Sequence, residues 1–136
     1  MTDISVTSTV SQVENRSWLV SQHGTEPGAT PSVTLDVAKF TAATHYPKGY
    51  IPSGIVLGLV TATKLYGPYD KDATDGRQTA AGHLFSSLGV KAGATKIGGA
   101  RLVHGFVNPA KLPLTTGTGA LDAAARTTLA LIHYSA

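Results

Sequence analysis

Residues Lys48 to Phe85 read KGYIPSGIVLGLVTATKLYGPYDKDATDGRQTAAGHLF, and the spacing of their glycines and prolines decides the fold class. Ile51-Pro52-Ser53-Gly54 predicts a turn. Pro52 pre-sets one backbone angle, and Gly54 accepts the positive φ that a tight turn often needs. The turn launches a predicted strand, Ile55 to Thr63, with apolar residues on both faces, so it must be central or covered on both sides. Gly58 inside it marks a bulge or a close backbone approach. Tyr66-Gly67-Pro68-Tyr69-Asp70 reads as a break in the strand. Asp75-Gly76 makes a second turn, and a further strand is predicted from Ala80 to Phe85.

The flanks extend this β pattern. Ser32 to Val37 alternates, with Val33, Leu35 and Val37 on one face, which predicts a half-buried strand. Ala38 to Tyr46 fits either a short helix or irregular chain. Ser86 to Gly89 turns, Lys91 to Lys96 is a loop, and Lys96-Ile97-Gly98-Gly99-Ala100 reads as a flexible glycine turn. Gly99 to Val107 returns as a strand. One helix is predicted, Ala120 to about Leu129, with Thr118 as N-cap and Asp122 near the positive end of the dipole. Leu121, Ala125 and Leu129 form its apolar stripe. Leu131 to Tyr134 reads as a last short strand. The expected fold is α+β and predominantly β: a small barrel-like domain over residues 32–136 with one C-terminal helix. Ahead of it, residues 1–31 read as an extended, flexible arm rich in Thr, Ser, Gln and Asn, with too little apolar surface to order itself alone. Trp18-Leu19-Val20 is an apolar knot within it that should anchor somewhere.

Composition narrows the function. The chain has 136 residues, enough to bury a core without staples, and no cysteine, which excludes disulfides and thiolate metal sites and fits a reducing cytoplasm. Eleven basic and eight acidic residues leave a formal charge of +3, with no basic run to track a phosphate backbone, so nucleic acid is not an expected partner. Only 14% of residues are charged, against an average of about 25%, which favours a surface partly covered by a partner. The longest apolar run, Ile55 to Val60, is far short of the ~20 residues a membrane span needs, and Met1-Thr2-Asp3 lacks the basic start of a signal peptide. Asn15-Arg16-Ser17 is a glycosylation sequon in form, without a secretory context.

No catalytic constellation emerges. Asp70-Lys71-Asp72-Ala73-Thr74-Asp75-Gly76 invites a calcium reading, but its third Asp is one residue late and the twelfth position is Ala81 rather than Glu. His23, His45, His83, His104 and His133 show neither H-x-H nor i, i+4 spacing. No serine sits in G-x-S-x-G and no phosphate loop occurs. Both glutamates lie in the arm, so paired-carboxylate chemistry has no pair to nominate. No cofactor and no enzymatic activity are expected. Tyr46, Tyr50, Tyr66 and Tyr69 flank the central strand, and a small carbohydrate- or ligand-binding β-domain using these loops is the alternative function.

The IPSG-type turn, the V-L-G-like strand, the Tyr-Pro-Tyr-Asp break and the segment D-G-x-x-T-A-x-G-x-L together resemble the head decoration proteins of tailed bacteriophages, the family of the phage lambda head protein D. The resemblance covers residues 32 to 90 and runs more loosely through Arg101 to Val107 into the C-terminal helix. It implies a cement protein on the capsid exterior, made in the host cytoplasm. Such proteins bind the major capsid protein of the expanded head as homotrimers and stabilise it against internal DNA pressure. It implies no catalytic residues, no cofactor, no direct nucleic-acid contact and no membrane. The features that carry over are structural turns: Ser53, Gly54, Gly58, Asp75, Gly76 and Gly82. The loop Asp70 to Asp75 and the C-terminal region are longer than in the shortest members. For the grip on the capsid, the arm offers Ile4, Val6, Val10 and Trp18, and removing residues 1–20 is expected to leave a folded domain.

Overall fold

The computed structural model describes residues 14–134. Nine strands follow in chain order: β1 Ser32–Asp36, β2 Tyr50–Ile51, β3 Val56–Val60, β4 Leu65–Pro68, β5 Ala80–Leu84, β6 Leu88–Gly89, β7 Lys96–Leu102, β8 Gly105–Val107 and β9 Ile132–Tyr134. Two short helices, α1 Ala42–His45 and α2 Ala123–Thr128, punctuate them. Strands β1, β4, β3, β5 and β7 close into a barrel, in that order. Closure is made by β7, which runs antiparallel to β1 from Ser32↔Ala100 to Asp36↔Lys96, and β1 with β4 is the barrel's parallel pair. A closed sheet leaves no edge backbone to satisfy, which suits a chain with so few charges to guard an edge. The expected predominantly β, barrel-like fold with a C-terminal helix is the observed one.

β1 forms as its alternation predicts, with Val33 and Leu35 buried. β3 is covered on both faces. Leu57 packs with Val33, Leu35, Phe40, Ile51 and Leu84 in one apolar cluster. Val56 packs with Trp18, Leu102, Val107 and Ile132 in the other. At Gly58 the register against β5 shifts between Leu57↔Gly82 and Gly58↔Ala80, so the predicted bulge is present.

Four local expectations need correction. Tyr66-Gly67-Pro68 does not break the sheet. It is β4, the return arm of a hairpin whose register runs from Leu57↔Pro68 to Val60↔Leu65. β3 therefore ends at Val60 rather than Thr63, because Thr61–Lys64 is the hairpin turn, with Lys64 at φ 61° and its N–H on the Val60 carbonyl. Pro68 is tolerated as the last residue of its strand. Second, Lys96 to Ala100 is strand, not a flexible turn. A Cβ on Gly99 would stand 2.7 Å from Leu88 Cδ1, so the missing side chain makes room for β6. Third, Gly99 to Val107 is not one strand: the chain leaves the barrel after Leu102, and Gly105, at φ 148°, starts β8 beside β9. Fourth, the predicted helix starts late. Asp122, extended at φ −128°, is the N-cap and its Oδ1 accepts from Ala125 N at 2.8 Å. Thr118 is instead engaged with His45, whose Nε2 lies 3.0 Å from the Thr118 carbonyl and hydroxyl oxygens.

Candidate functional site

The described chain begins at the rim of a groove of about 790 Å³, whose wall includes Asn15, Trp18, His45, Lys48, Tyr50 and Ser53. Pro52, next to Ser53 in the predicted turn, also lines it. Ser53 is buried and holds three segments together: its Oγ accepts from the Trp18 indole at 3.2 Å and donates to the Asn15 carbonyl at 2.8 Å, while its N–H donates to Ser87 Oγ at 3.1 Å. Ser87 N–H in turn donates to Glu14 Oε2 at 2.9 Å. Arg16 completes the attachment. Its Nε meets Glu14 Oε1 and the Phe85 carbonyl, each at 2.9 Å, and its guanidinium lies 4.3 Å from the Phe85 ring centre.

Gly54 explains how the indole comes so close. At φ 97°, it would place a Cβ 2.8 Å from Pro113 Cδ and 2.9 Å from Trp18 Nε1. Trp18 is therefore 1% exposed, in the apolar cluster with Val56 and Ile132. Its ring stacks on His83. His83 is fully buried; its Nδ1 donates to the Gly54 carbonyl at 2.9 Å and its Nε2 accepts from the Tyr134 hydroxyl at 2.7 Å. Burial pushes the imidazole pKa down to about 4, against the pull of the Gly54 carbonyl. Burial also pushes the Tyr134 phenol up, with Arg126 opposing.

The structure gives Trp18 a place other than an exposed capsid anchor. Its indole has no free surface, and it fastens the arm to its own domain. Truncation at residue 20 would remove a core side chain. Ile4, Val6 and Val10 lie outside the described residues.

Of the other residues expected at turns, Gly82 is not at one: it lies inside β5, paired with Leu57. Gly82, at φ 146°, would drive a Cβ to 2.6 Å from the Leu102 carbonyl across the β5–β7 pair. Gly76, at φ 116°, lets the Asp75 carbonyl accept from Thr61 N at 3.0 Å. The Asp75 carboxylate sits 3.0 Å from Arg77 Nε and 3.6 Å from Lys39 Nζ. Burial works upward on its pKa, but the Arg77 N–H bonds and both cations hold it below the usual carboxylate value. Asp70 Oδ1 accepts from Asp72 N at 3.0 Å, an interaction within its own turn. Among the described residues, no group of three or more His, Asp or Glu is placed to hold a metal ion.

Polar side chains of the groove wall, His45 and Ser53 among them, are engaged with their own fold. Both His45 nitrogens are used: Nδ1 accepts from Thr41 N at 2.8 Å and Nε2–H donates to the Thr118 carbonyl. Burial lowers its pKa, opposed by the Thr118 bond and aided by Arg77. The Ser53 hydroxyl is held between the Trp18 indole and the Asn15 carbonyl. The tyrosines do not assemble into one platform: Tyr69 is buried with its hydroxyl on Asp122, Tyr46 and Tyr66 pack on the β1 cluster, and Tyr50 alone lines the groove. No described helix is long and apolar enough to cross a membrane.

Sequence reading missed Glu14, Asn15, Arg16, Ser87 and Tyr134 as partners in this network. The only available signal was the isolated Trp18, an aromatic too large to leave in water within a polar stretch.

No curated protein and no solved structure matches the chain. The family model of the bacteriophage lambda head decoration protein D matches residues 28–134, from just ahead of β1 to the last residue of β9. The chain belongs to the bacteriophage lambda head decoration protein D family.

Proposed function

We propose that this protein seats on the expanded phage head as a homotrimer, gripping the major capsid protein with its N-terminal arm and stabilising the shell against the pressure of packaged DNA. Membership of a head decoration family places its work on the phage capsid, and the family match over residues 28–134 is the observation that carries the reading. Local support comes from the root of the arm, where Glu14 to Trp18 is fastened to Phe85, Ser53 and Ser87.

The gripping stretch in this reading contains Ile4, Val6 and Val10, in a β-prone, polar context. Added as a strand to an exposed edge of the shell, it would satisfy its backbone groups there and use alternate side chains for specificity. Ordering it costs roughly 1–2 kcal/mol per backbone residue. Three linked arms raise the effective concentration enough to offset that.

Co-sedimentation with empty expanded capsids tests the reading. Full-length protein is expected in the pellet at saturable occupancy, and protein lacking residues 1–13 is expected to stay folded and remain in the supernatant. Full occupancy by the truncated protein would move the grip to the β-domain. No binding by the full-length protein would sink the decoration reading itself.

A further inference from the structure

Outside the barrel, Leu19 bridges to Val107 and Val20 donates its N–H to the Phe106 carbonyl, and the two segments stay together as far as His23 and His104. Two glycines let the backbones meet there. A Cβ on Gly24, at φ 86°, would fall on the His104 carbonyl oxygen, and a Cβ on Gly105, at φ 148°, would stand 2.7 Å from the His23 carbonyl oxygen. Neither position can carry a side chain without moving one segment off the other. The close approach sets the two imidazoles side by side, with ring centres 4.7 Å apart and 58° between planes. His23 is exposed and His104 half-buried. The buried histidines are used differently: His45 engages Thr41 and Thr118 through its two nitrogens, and His83 engages Gly54 and Tyr134. Among the described residues, no group hydrogen-bonds to a ring nitrogen of His23 or His104.

We propose that His23 and His104 together bind a divalent transition-metal ion of the class that takes imidazole, zinc among them, and that the ion clips residues 18–24 to the corner between β7 and β8. The donor set selects the class: hard cations such as Mg²⁺ and Ca²⁺ take oxygen, whereas zinc, nickel and copper take imidazole nitrogen. The spacing fits it as well. A metal about 2.0–2.1 Å from one nitrogen of each ring places the centres of two adjacent ligand rings roughly 5 Å apart. The exposed His23 ring can turn to aim a nitrogen, and the pinned backbones hold the two side chains together in advance, so binding orders little more. Two protein ligands are fewer than the three or four of a catalytic or structural zinc site, so water completes the coordination and the ion exchanges readily. His133 packs on Phe106, with 5.5 Å between ring centres, and is the natural control. An ion held by both segments favours the folded chain, in which they are together, over the unfolded one.

The test titrates Zn²⁺ into the full-length protein by calorimetry, with Mg²⁺ as the comparison ion and melting temperature as a second readout. The wild type is expected to bind one Zn²⁺ per chain and to melt at a higher temperature in its presence, and Mg²⁺ is expected to do neither. His23→Ala and His104→Ala should each lose the rise in melting temperature. Each should also bind Zn²⁺ at least about tenfold more weakly, the lower end of what losing a group bonded to a metal ligand costs. His133→Ala should keep both responses. A wild type without saturable Zn²⁺ binding overturns the inference. So does binding that survives undiminished in His23→Ala and His104→Ala, which puts the ion elsewhere, or an equal response to Mg²⁺, which makes it an effect of charge. Loss of binding in His133→Ala as well overturns the two-ligand site in favour of a wider histidine cluster. Where His104→Ala fails to fold, His104→Gln takes its place with the same outcomes.

Discussion

The Trp18 indole lies nearly parallel to the His83 imidazole, with ring centres 5.7 Å apart and 24° between planes. The stack ties the N-terminal segment to β5 through a group that stays neutral. His83 has a folded pKa of about 4, against an ordinary value of 6.5. Between those values the unfolded chain binds more protons than the folded one. The stability is fully present above pH 6.5 and declines as pH falls toward 4, by roughly 3 kcal/mol in total. His45, also shifted down by burial, adds in the same direction. Urea unfolding at a series of pH values should show this loss, and His83→Leu should flatten it while lowering stability at pH 7. A wild-type curve level from pH 7 to 4 would contradict the assignment.

Trp18→Ala should cost about 3–5 kcal/mol, as expected for a large aromatic removed from a core. Ser53→Ala should cost about 1–3 kcal/mol by leaving buried donors unmatched. Because the two side chains share a hydrogen bond, the double variant should lose less than the sum. Strict additivity in denaturant melts would mean that the bond contributes nothing.

Gly58 and Lys64 should respond in opposite senses. A Cβ on Gly58 would lie 2.6 Å from Arg77 Cα and 2.7 Å from its carbonyl oxygen, backbone atoms that cannot swing aside. Gly58→Val should therefore destabilise by at least about 2 kcal/mol. Lys64 occupies left-handed backbone at φ 61°, and Lys64→Gly should raise stability by about 1 kcal/mol. Thermal melts of the two variants check both signs.

Asp122 caps α2 and accepts the Tyr69 hydroxyl at 2.9 Å. Burial first, then the bond and the charge of Asp122, push the Tyr69 pKa up to about 12. Asp122→Ala removes a cap and leaves a buried hydroxyl, which together should cost roughly 2–4 kcal/mol. Ultraviolet titration should show one tyrosine ionising at lower pH in Asp122→Asn than in the wild type. An unmoved titration would place the shift in burial alone.

The β content, the central place of β3, the bulge at Gly58 and the turns at Gly54 and Gly76 were all legible along the chain. Each depends on residues within a few positions of one another: alternation sets a strand's faces, and a glycine marks where backbone must bend. The resemblance to the decoration family was legible for the same reason, since its motif is a run of such turns. The sequence alone did not determine partners far apart along the chain. Tyr66 to Pro68 looks like a break until β1 and β3 flank it, and Gly98-Gly99 looks like a turn until β1 pairs with it. Asp122 displaced Thr118 as helix cap because His45, 73 residues away, holds Thr118. Trp18 sat in a polar arm by composition and became core only because Ser53, 35 residues on, meets its indole where Gly54 leaves room. Local propensity is written in neighbouring residues, but a buried hydrogen bond or an apolar contact is stable only when the fold brings both partners out of water together, and that closure was decided by the tertiary structure.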